Sequence, residues 1–178
     1  MSSFGKRLAQ ALFVLMALAC HGRAATAQDI PSEQAVRAAM VFNFLKFTEF
    51  PPEGIASAQR MRLCIAVGDP RQAEALTSLS GRKVWNRELV VVRLSGRDDD
   101  CQVLYVDSRQ GWNTAEEQRT LRRTLTISAY PGFAQSGGMI EIASQENGTR
   151  FDINLAEGRR AGFHFSPQLL RLARRVYE

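Results

Sequence analysis

The sequence predicts an α/β fold, a single-domain sandwich in which a mixed β-sheet is flanked by helices. Three observations carry that prediction. Met61 to Val67 reads Met-Arg-Leu-Cys-Ile-Ala-Val and runs straight into Gly68-Asp69-Pro70, a strand joined to a helix start by a short turn. Further strand-like runs, 88–94, 102–106 and 125–128, alternate with helical stretches, the pattern that builds a parallel sheet. Asn147-Gly148 then sits between two runs over 139–155 and marks an antiparallel hairpin.

The first 27 residues stand apart from this body. Lys6 and Arg7 precede an apolar run from Leu8 through Ala19, and Ala25-Thr26-Ala27 supplies the small-x-small pattern of a signal-peptidase site. A dozen apolar residues cannot span a bilayer core of about 30 Å, which takes about 20. The expectation is a signal peptide over 1–27, cleaved near Ala27, and one mature domain over 28–178 that works outside the cytoplasm. Ala19-Cys20 also permits a lipoprotein reading, although Ala17 replaces the usual leucine. The leader holds Lys6, Arg7 and Arg23 and no acid, so the formal charge falls from +5 to +2 without it. A balance that small calls for no nucleic acid partner. About 150 residues suit one domain.

Ser32 is the expected cap of a first helix running to about Glu49, where Phe50-Pro51-Pro52 stops it. Val36, Met40, Phe44 and Phe47 fall on one side with Asn43 among them; Ala38, Val41, Phe42 and Leu45 form a second apolar side. Such a helix must be covered twice. Two readings stay open: burial between the sheet and the C-terminal helix, or a second face given to a dimer or partner. Asn43, placed inside an apolar face, is expected to be hydrogen-bonded to neighbouring backbone.

Asp69 and Pro70 open a helix with Ala73, Leu76 and Leu79 inward and Gly81 at its end. Lys83 to Trp85 reads as a short lead-in to strand 88–94. Cys101 introduces strand 102–106. Thr114 to Arg123 reads as an amphipathic helix with Glu116 and Glu117 early and Arg119, Arg122 and Arg123 late, matching the helix dipole. The glycine-punctuated loop from Tyr130 to Gly138 either lines a ligand or partner site or crosses between strands with Phe133 in the core. Ser166-Pro167 caps a last helix expected to run to about Tyr177, with Leu169, Leu172, Ala173 and Val176 inward. Arg171, Arg174 and Arg175 face outward, as a solvated stripe or a surface for an acidic partner.

Several chemistries lack their parts. The mature chain holds one histidine, His164, too few for a multi-histidine metal site, and neither Gly-x-Ser-x-Gly, Cys-x-x-Cys, Gly-x-Gly-x-x-Gly nor a P-loop is present. The expectation is no enzyme, no cofactor and no metal. Glu49, Glu141 and Asp152 are carboxylates whose meeting in space the sequence leaves open. Cys64 and Cys101 are the two cysteines of the mature chain; in an oxidising compartment they pair most simply as a disulfide, two buried thiols being the alternative.

Asn43-Phe44-Leu45-Lys46-Phe47-Thr48-Glu49-Phe50-Pro51 resembles the YNF-x-KF-x-EWP opening of the YfiR family of periplasmic regulators, with Phe50 where tryptophan is usual. Arg62-Leu63-Cys64-Ile65 with Gly68-Asp69-Pro70, Pro131-Gly132-Phe133-Ala134 with Gly137-Gly138-Met139-Ile140, Arg150-Phe151-Asp152-Ile153-Asn154, and Gln168-Leu169-Leu170-Arg171-Leu172-Ala173 are similar to later blocks of that family, in order. Pro167 departs from a common second serine.

The resemblance implies a protein that binds the periplasmic sensor region of an inner-membrane diguanylate cyclase and restrains cyclic-di-GMP signalling and biofilm formation. It also implies a homodimer and, as a further partner, an outer-membrane lipoprotein that sequesters the repressor. Cys64 and Cys101 match the family's longer-range bridge; its shorter bridge has no counterpart, since 139–155 holds no cysteine. Expected dimer or partner contacts are Val41, Phe42 and Leu45 with Leu169, Arg171, Arg174 and Arg175. Tyr130, Phe133, Phe163 and Phe165 are candidates for a loop or pocket. The alternative function is a periplasmic small-molecule sensor.

Overall fold

Five parallel strands form the centre of the structure, a computed structural model that describes residues 30–52, 59–94, 100–117, 123–146 and 148–178. They are β2 (Arg60–Ala66), β4 (Arg87–Arg93), β5 (Val103–Val106), β6 (Leu125–Ser128) and β7 (Ile140–Gln145), side by side in the order β4-β2-β5-β6-β7. The antiparallel β8 (Gly148–Asn154) follows β7 across the hairpin, and β10 (Arg175–Tyr177) closes that edge parallel to β8. At the other edge β3 (Lys83–Val84) pairs antiparallel with β4, completing an eight-stranded mixed sheet. A separate two-residue ladder joins β1 (Thr48–Glu49) to β9 (His164–Phe165). Pro31–Glu178 make one compact unit, whereas the leader expected over 1–27 lies outside the described residues.

The apolar run of β2 explains its central place. Leu63 and Ile65 point to one face and Cys64 to the other, all almost wholly buried. Both faces of the sheet are therefore covered. Over the first face lie α1 (Glu33–Lys46) and α2 (Pro70–Thr77), which pack on each other and contribute Ala38, Val41, Phe44, Leu45, Ala73 and Leu76 to the core. Over the second face, Cys64, Leu104 and Val106 meet Trp112 of α3 (Arg109–Glu117) and the loop residues Tyr130 and Phe133. Two short helices, α4 (Leu155–Arg160) and α5 (Pro167–Leu172), complete the chain.

Local chemistry starts these helices where expected. Ser32 Oγ accepts the Ala35 N–H, Asp69 Oδ1 accepts that of Arg71, and Ser166 Oγ accepts that of Leu169. Their ends differ from expectation. α1 stops at Lys46, three residues early, because Thr48 and Glu49 turn extended to pair with β9. Asn43 is exposed, not buried: the inward side is the one carrying Ala38, Val41, Phe42 and Leu45, joined by Phe44.

α3 begins at Arg109, five residues before the expected Thr114. Ser108 is the reason, its hydroxyl accepting the Gly111 N–H and its carbonyl the Trp112 N–H. Glu116 and Glu117 thus fall at the end of α3 and cannot match its dipole; Arg119 and Arg122 lie outside the described residues. The last helix is six residues long. Ala173 is extended, and the chain becomes β10. Leu172 and Val176, expected inward, are 62% and 37% exposed.

Phe133 is the plug of the second face. It is fully buried and sits edge-on to Trp112 at 4.9 Å and to Tyr130 at 5.2 Å. Gly138 makes room for it, since a Cβ there would come within 2.2 Å of the ring. Gly138→Ala should therefore lower stability by about 1–3 kcal/mol, read as a smaller urea midpoint with an unchanged slope. An unaltered midpoint would show that the ring yields freely.

Candidate partner-binding surface

The β7–β8 register sets Glu141 directly opposite Asp152, two carboxylates on one face with 6% and 1% exposure. Each is fully engaged. Glu141 accepts the N–H groups of Gly132 and Ala134 at 3.2 and 3.1 Å, pinning the Tyr130–Gly138 loop. Asp152 takes a two-pronged bond from Arg174, Nε to Oδ1 at 2.8 Å and Nη2 to Oδ2 at 2.6 Å. That bond raises the Arg174 guanidinium above its ordinary value, against the opposing effect of burial. Glu49 stays away, exposed on β1 opposite His164. So two of the three open carboxylates meet, and both hold structure.

The same network fastens the C-terminus. The Arg174 N–H donates to Phe151 O at 2.7 Å, and Gln135 Nε2 donates to the Tyr177 hydroxyl at 3.2 Å. Asn154 Nδ2 donates to Ala134 O at 2.8 Å. With its inner side held, the segment 171–177 shows Arg171 and Leu172, at the end of α5, and Arg175 and Val176, on the outermost strand β10, to solvent. An edge strand carries backbone groups free to pair, and here apolar and cationic side chains alternate beside them.

The expected contact residues divide accordingly. Arg171 and Arg175 are exposed, and Arg174 is turned back to Asp152. Val41, Phe42, Leu45 and Leu169 are 0%, 8%, 0% and 3% exposed: the fold itself covers them, which removes them from any surface. Tyr130, Phe133, Phe163 and Phe165 are likewise buried, Phe163 edge-on to Phe50 at 5.4 Å and Phe165 over Gly158. An open groove of about 580 Å³ lies elsewhere, beside the start of β2 and the second half of β4, among Arg60, Arg62, Val90, Val92, Asp100 and Gln102. Sequence reasoning missed Leu172, Val176 and Trp85, the last 56% exposed. Reading Pro167 to Tyr177 as one helix hid the first two.

A second polar cluster sits at the C-terminal ends of β2 and β5, where the strand order reverses and open α/β sheets bind ligands. Asp107 Oδ2 accepts the Gly68 and Asp69 N–H groups at 2.6 and 3.2 Å. The Arg71 N–H bond, aided by Gln34, holds the Asp69 carboxyl below its usual range. Nearby, Arg37 Nε, Gln72 Oε1 and the Tyr105 hydroxyl are buried without a hydrogen-bond partner. Burial pushes Tyr105 up to about 12, with Asp107, Asp69 and Glu33 adding and Arg37 opposing.

Because the unfolded chain ionises this phenol near 10, stability is present below pH 10 and is lost as pH climbs toward 12. The loss should reach about 2–3 kcal/mol. Tyr105→Phe should match the parent at pH 8 and exceed it at pH 11 in urea midpoint. Parallel losses in both proteins would place the alkaline transition elsewhere.

Taken together, the buried acids of the sandwich hold structure, and its C-terminal edge is exposed. The chain belongs to the YfiR/HmsC-like family, whose model matches residues 34–174. That is a family of periplasmic regulators that are not catalysts. No curated protein matches the sequence. Among solved structures, a conserved domain protein from Vibrio cholerae O1 biovar El Tor is similar at 12% identity and a TM-score of 0.48, over 82% of this chain and 60% of that one. The ABC domain in complex with L-Trp from Streptococcus pneumoniae is similar at 7% identity and a TM-score of 0.49, over 66% of this chain and 55% of that one. The chain spans less than two thirds of the length of either.

Proposed function

We propose that this chain is an exported, non-enzymatic repressor that binds the periplasmic sensor region of an inner-membrane diguanylate cyclase. It restrains cyclic-di-GMP output and biofilm formation. The observation that carries this reading is the family match across 34–174, and the Cys64–Cys101 disulfide suits an oxidising compartment. The repressor acts by differential affinity: it binds the inactive arrangement of the cyclase better than the active one and shifts the population. Contact runs through the end of α5 and the edge strand β10, with Leu172 and Val176 as apolar anchors flanked by Arg171 and Arg175. A homodimer, cleavage near Ala27 and release by an outer-membrane lipoprotein complete the proposal.

The test is a cyclic-di-GMP reporter in a deletion strain. Output should rise, and a Leu172→Asp/Val176→Asp variant that still folds should fail to lower it again. Unchanged output on deletion, in a strain expressing the cognate cyclase, would remove the repressor reading. The sensor reading keeps one supporting observation, the unpartnered Arg37, Gln72 and Tyr105 atoms, which suit a small polar ligand. A thermal shift with a polar metabolite, lost in Tyr105→Phe, would favour it.

A further inference from the structure

The hairpin at the opposite edge of the sheet carries a residue its backbone does not favour. Val84 and Arg87 pair across a two-residue loop, Trp85-Asn86, and Trp85 has a φ of 53°. Tight hairpins need positive φ at such a position, and glycine normally supplies it. A bulky side chain there is an outlier, and no core contact compensates, since Trp85 is 56% exposed.

Its surroundings are cationic. Arg82, one residue before β3, lies with its guanidinium carbon 3.6 Å from the centre of the Phe42 ring, and Lys46 Nζ is 5.9 Å from the same ring. Lys46, Arg82 and Lys83 are all exposed, with the half-buried Arg87 beside them. Across residues 81–88 and the last two turns of α1, one acid, Glu88, stands against the three exposed cations Lys46, Arg82 and Lys83. Stacking on Phe42 occupies the flat face of Arg82 and leaves its N–H donors for an anion.

We propose that the Trp85 hairpin is an interfacial anchor that docks the protein onto an anionic lipid surface. The indole seats at headgroup level while Lys46, Arg82 and Lys83 pair with lipid phosphates. A lone protruding aromatic without an apolar patch suits a deformable lipid interface better than a protein pocket. Phe42 and Val84 are 8% and 0% exposed, so the described residues at the tip add no apolar patch to Trp85. The anchor lies at the far edge of the sheet from β10 and leaves that edge free. It does not depend on the identity of any cyclase.

The chain's two tryptophans make the test direct, because Trp112 is 5% exposed and Trp85 is not buried. Purified protein is mixed with phosphatidylglycerol–phosphatidylethanolamine vesicles and, separately, with neutral phosphatidylcholine vesicles. Anionic vesicles should co-sediment the protein, shift its emission to the blue and shield it from an aqueous quencher; neutral ones should do none of this. Trp85→Gly should abolish binding while melting no lower than the parent, since glycine relieves the loop. Lys46→Gln/Lys83→Gln should weaken binding about tenfold or more, as should high salt. Trp112→Phe should still bind.

The proposal is overturned if anionic vesicles neither sediment the protein nor shift its emission, or if Trp85→Gly binds as the parent does. Equal saturation by inorganic phosphate would reduce the site to a free-anion site. A photocrosslinker at position 85 that captures a protein, with no vesicle binding, would assign the hairpin to a protein pocket.

Discussion

Replacing both cysteines, as Cys64→Ala/Cys101→Ala, should lower stability by about 4 kcal/mol, the chain-entropy value for a loop of this length. The bridge spans 37 residues of sequence and joins β2, at the middle of the sheet, to the start of its neighbour β5, with a Cα–Cα distance of 5.7 Å. A domain of this size has only about 5–15 kcal/mol in hand, so the variant should melt roughly 10 °C lower and unfold at much less urea. Reductant should bring the parent to the same midpoint and leave the variant unaffected. If the parent and the variant unfold together under oxidising conditions, the reduced chain retains enough structure to make the bridge redundant.

The second large effect is expected at Arg174. Arg174→Met keeps the aliphatic stem but strands Asp152, whose side chain is 2% exposed and faces Glu141 across the ladder. Breaking such a pair from one side costs about 3 kcal/mol, the Arg end being partly solvated. Arg174→Met/Asp152→Asn should recover a good part of the loss, giving a coupling well above the additive error of about 0.5 kcal/mol. The same change should speed hydrogen exchange along β10, because Arg174 ties that strand to β8 by its backbone as well as its side chain. A purely additive cycle would mean that the ion pair merely coexists with an edge strand held by other means.

These two effects differ in how far they could be read beforehand. The cysteine pair was legible as the simplest partnering in an oxidising compartment. So were the helix caps at Ser32, Asp69 and Ser166, because each depends on a few adjacent residues, and so was the antiparallel β7–β8 hairpin; Asn147 of the expected turn lies outside the described residues, and Gly148 belongs to β8, paired with Gln145. The central place of β2 followed from its uninterrupted apolar run. The Ser108 cap was also available in the sequence, but Glu116 and Arg119 suggested a helix one turn later.

The C-terminus shows why the rest was hidden. Leu169, Leu172 and Val176 recur at helical spacing, yet only Leu169 is buried. The helix ends at Leu172 because Arg174 gains more by reaching Asp152 and pairing with β8 than by one further turn. Glu141 and Asp152 were visible only as acids in a hairpin; their register against each other, the loop amides and Arg174 is a product of long-range pairing.

The amino-acid order alone determined the element types, most of their starts, the α/β class with its mixed sheet, and the family resemblance, since these rest on periodicity and short-range hydrogen bonds. The tertiary structure alone decided which apolar side of α1 is covered, where α1 and α5 stop, what the buried carboxylates bind, and that Leu172, Val176 and Trp85 stand in solvent. The physical reason is that periodicity marks which side chains share a face but carries no record of the distant segment that packs against it.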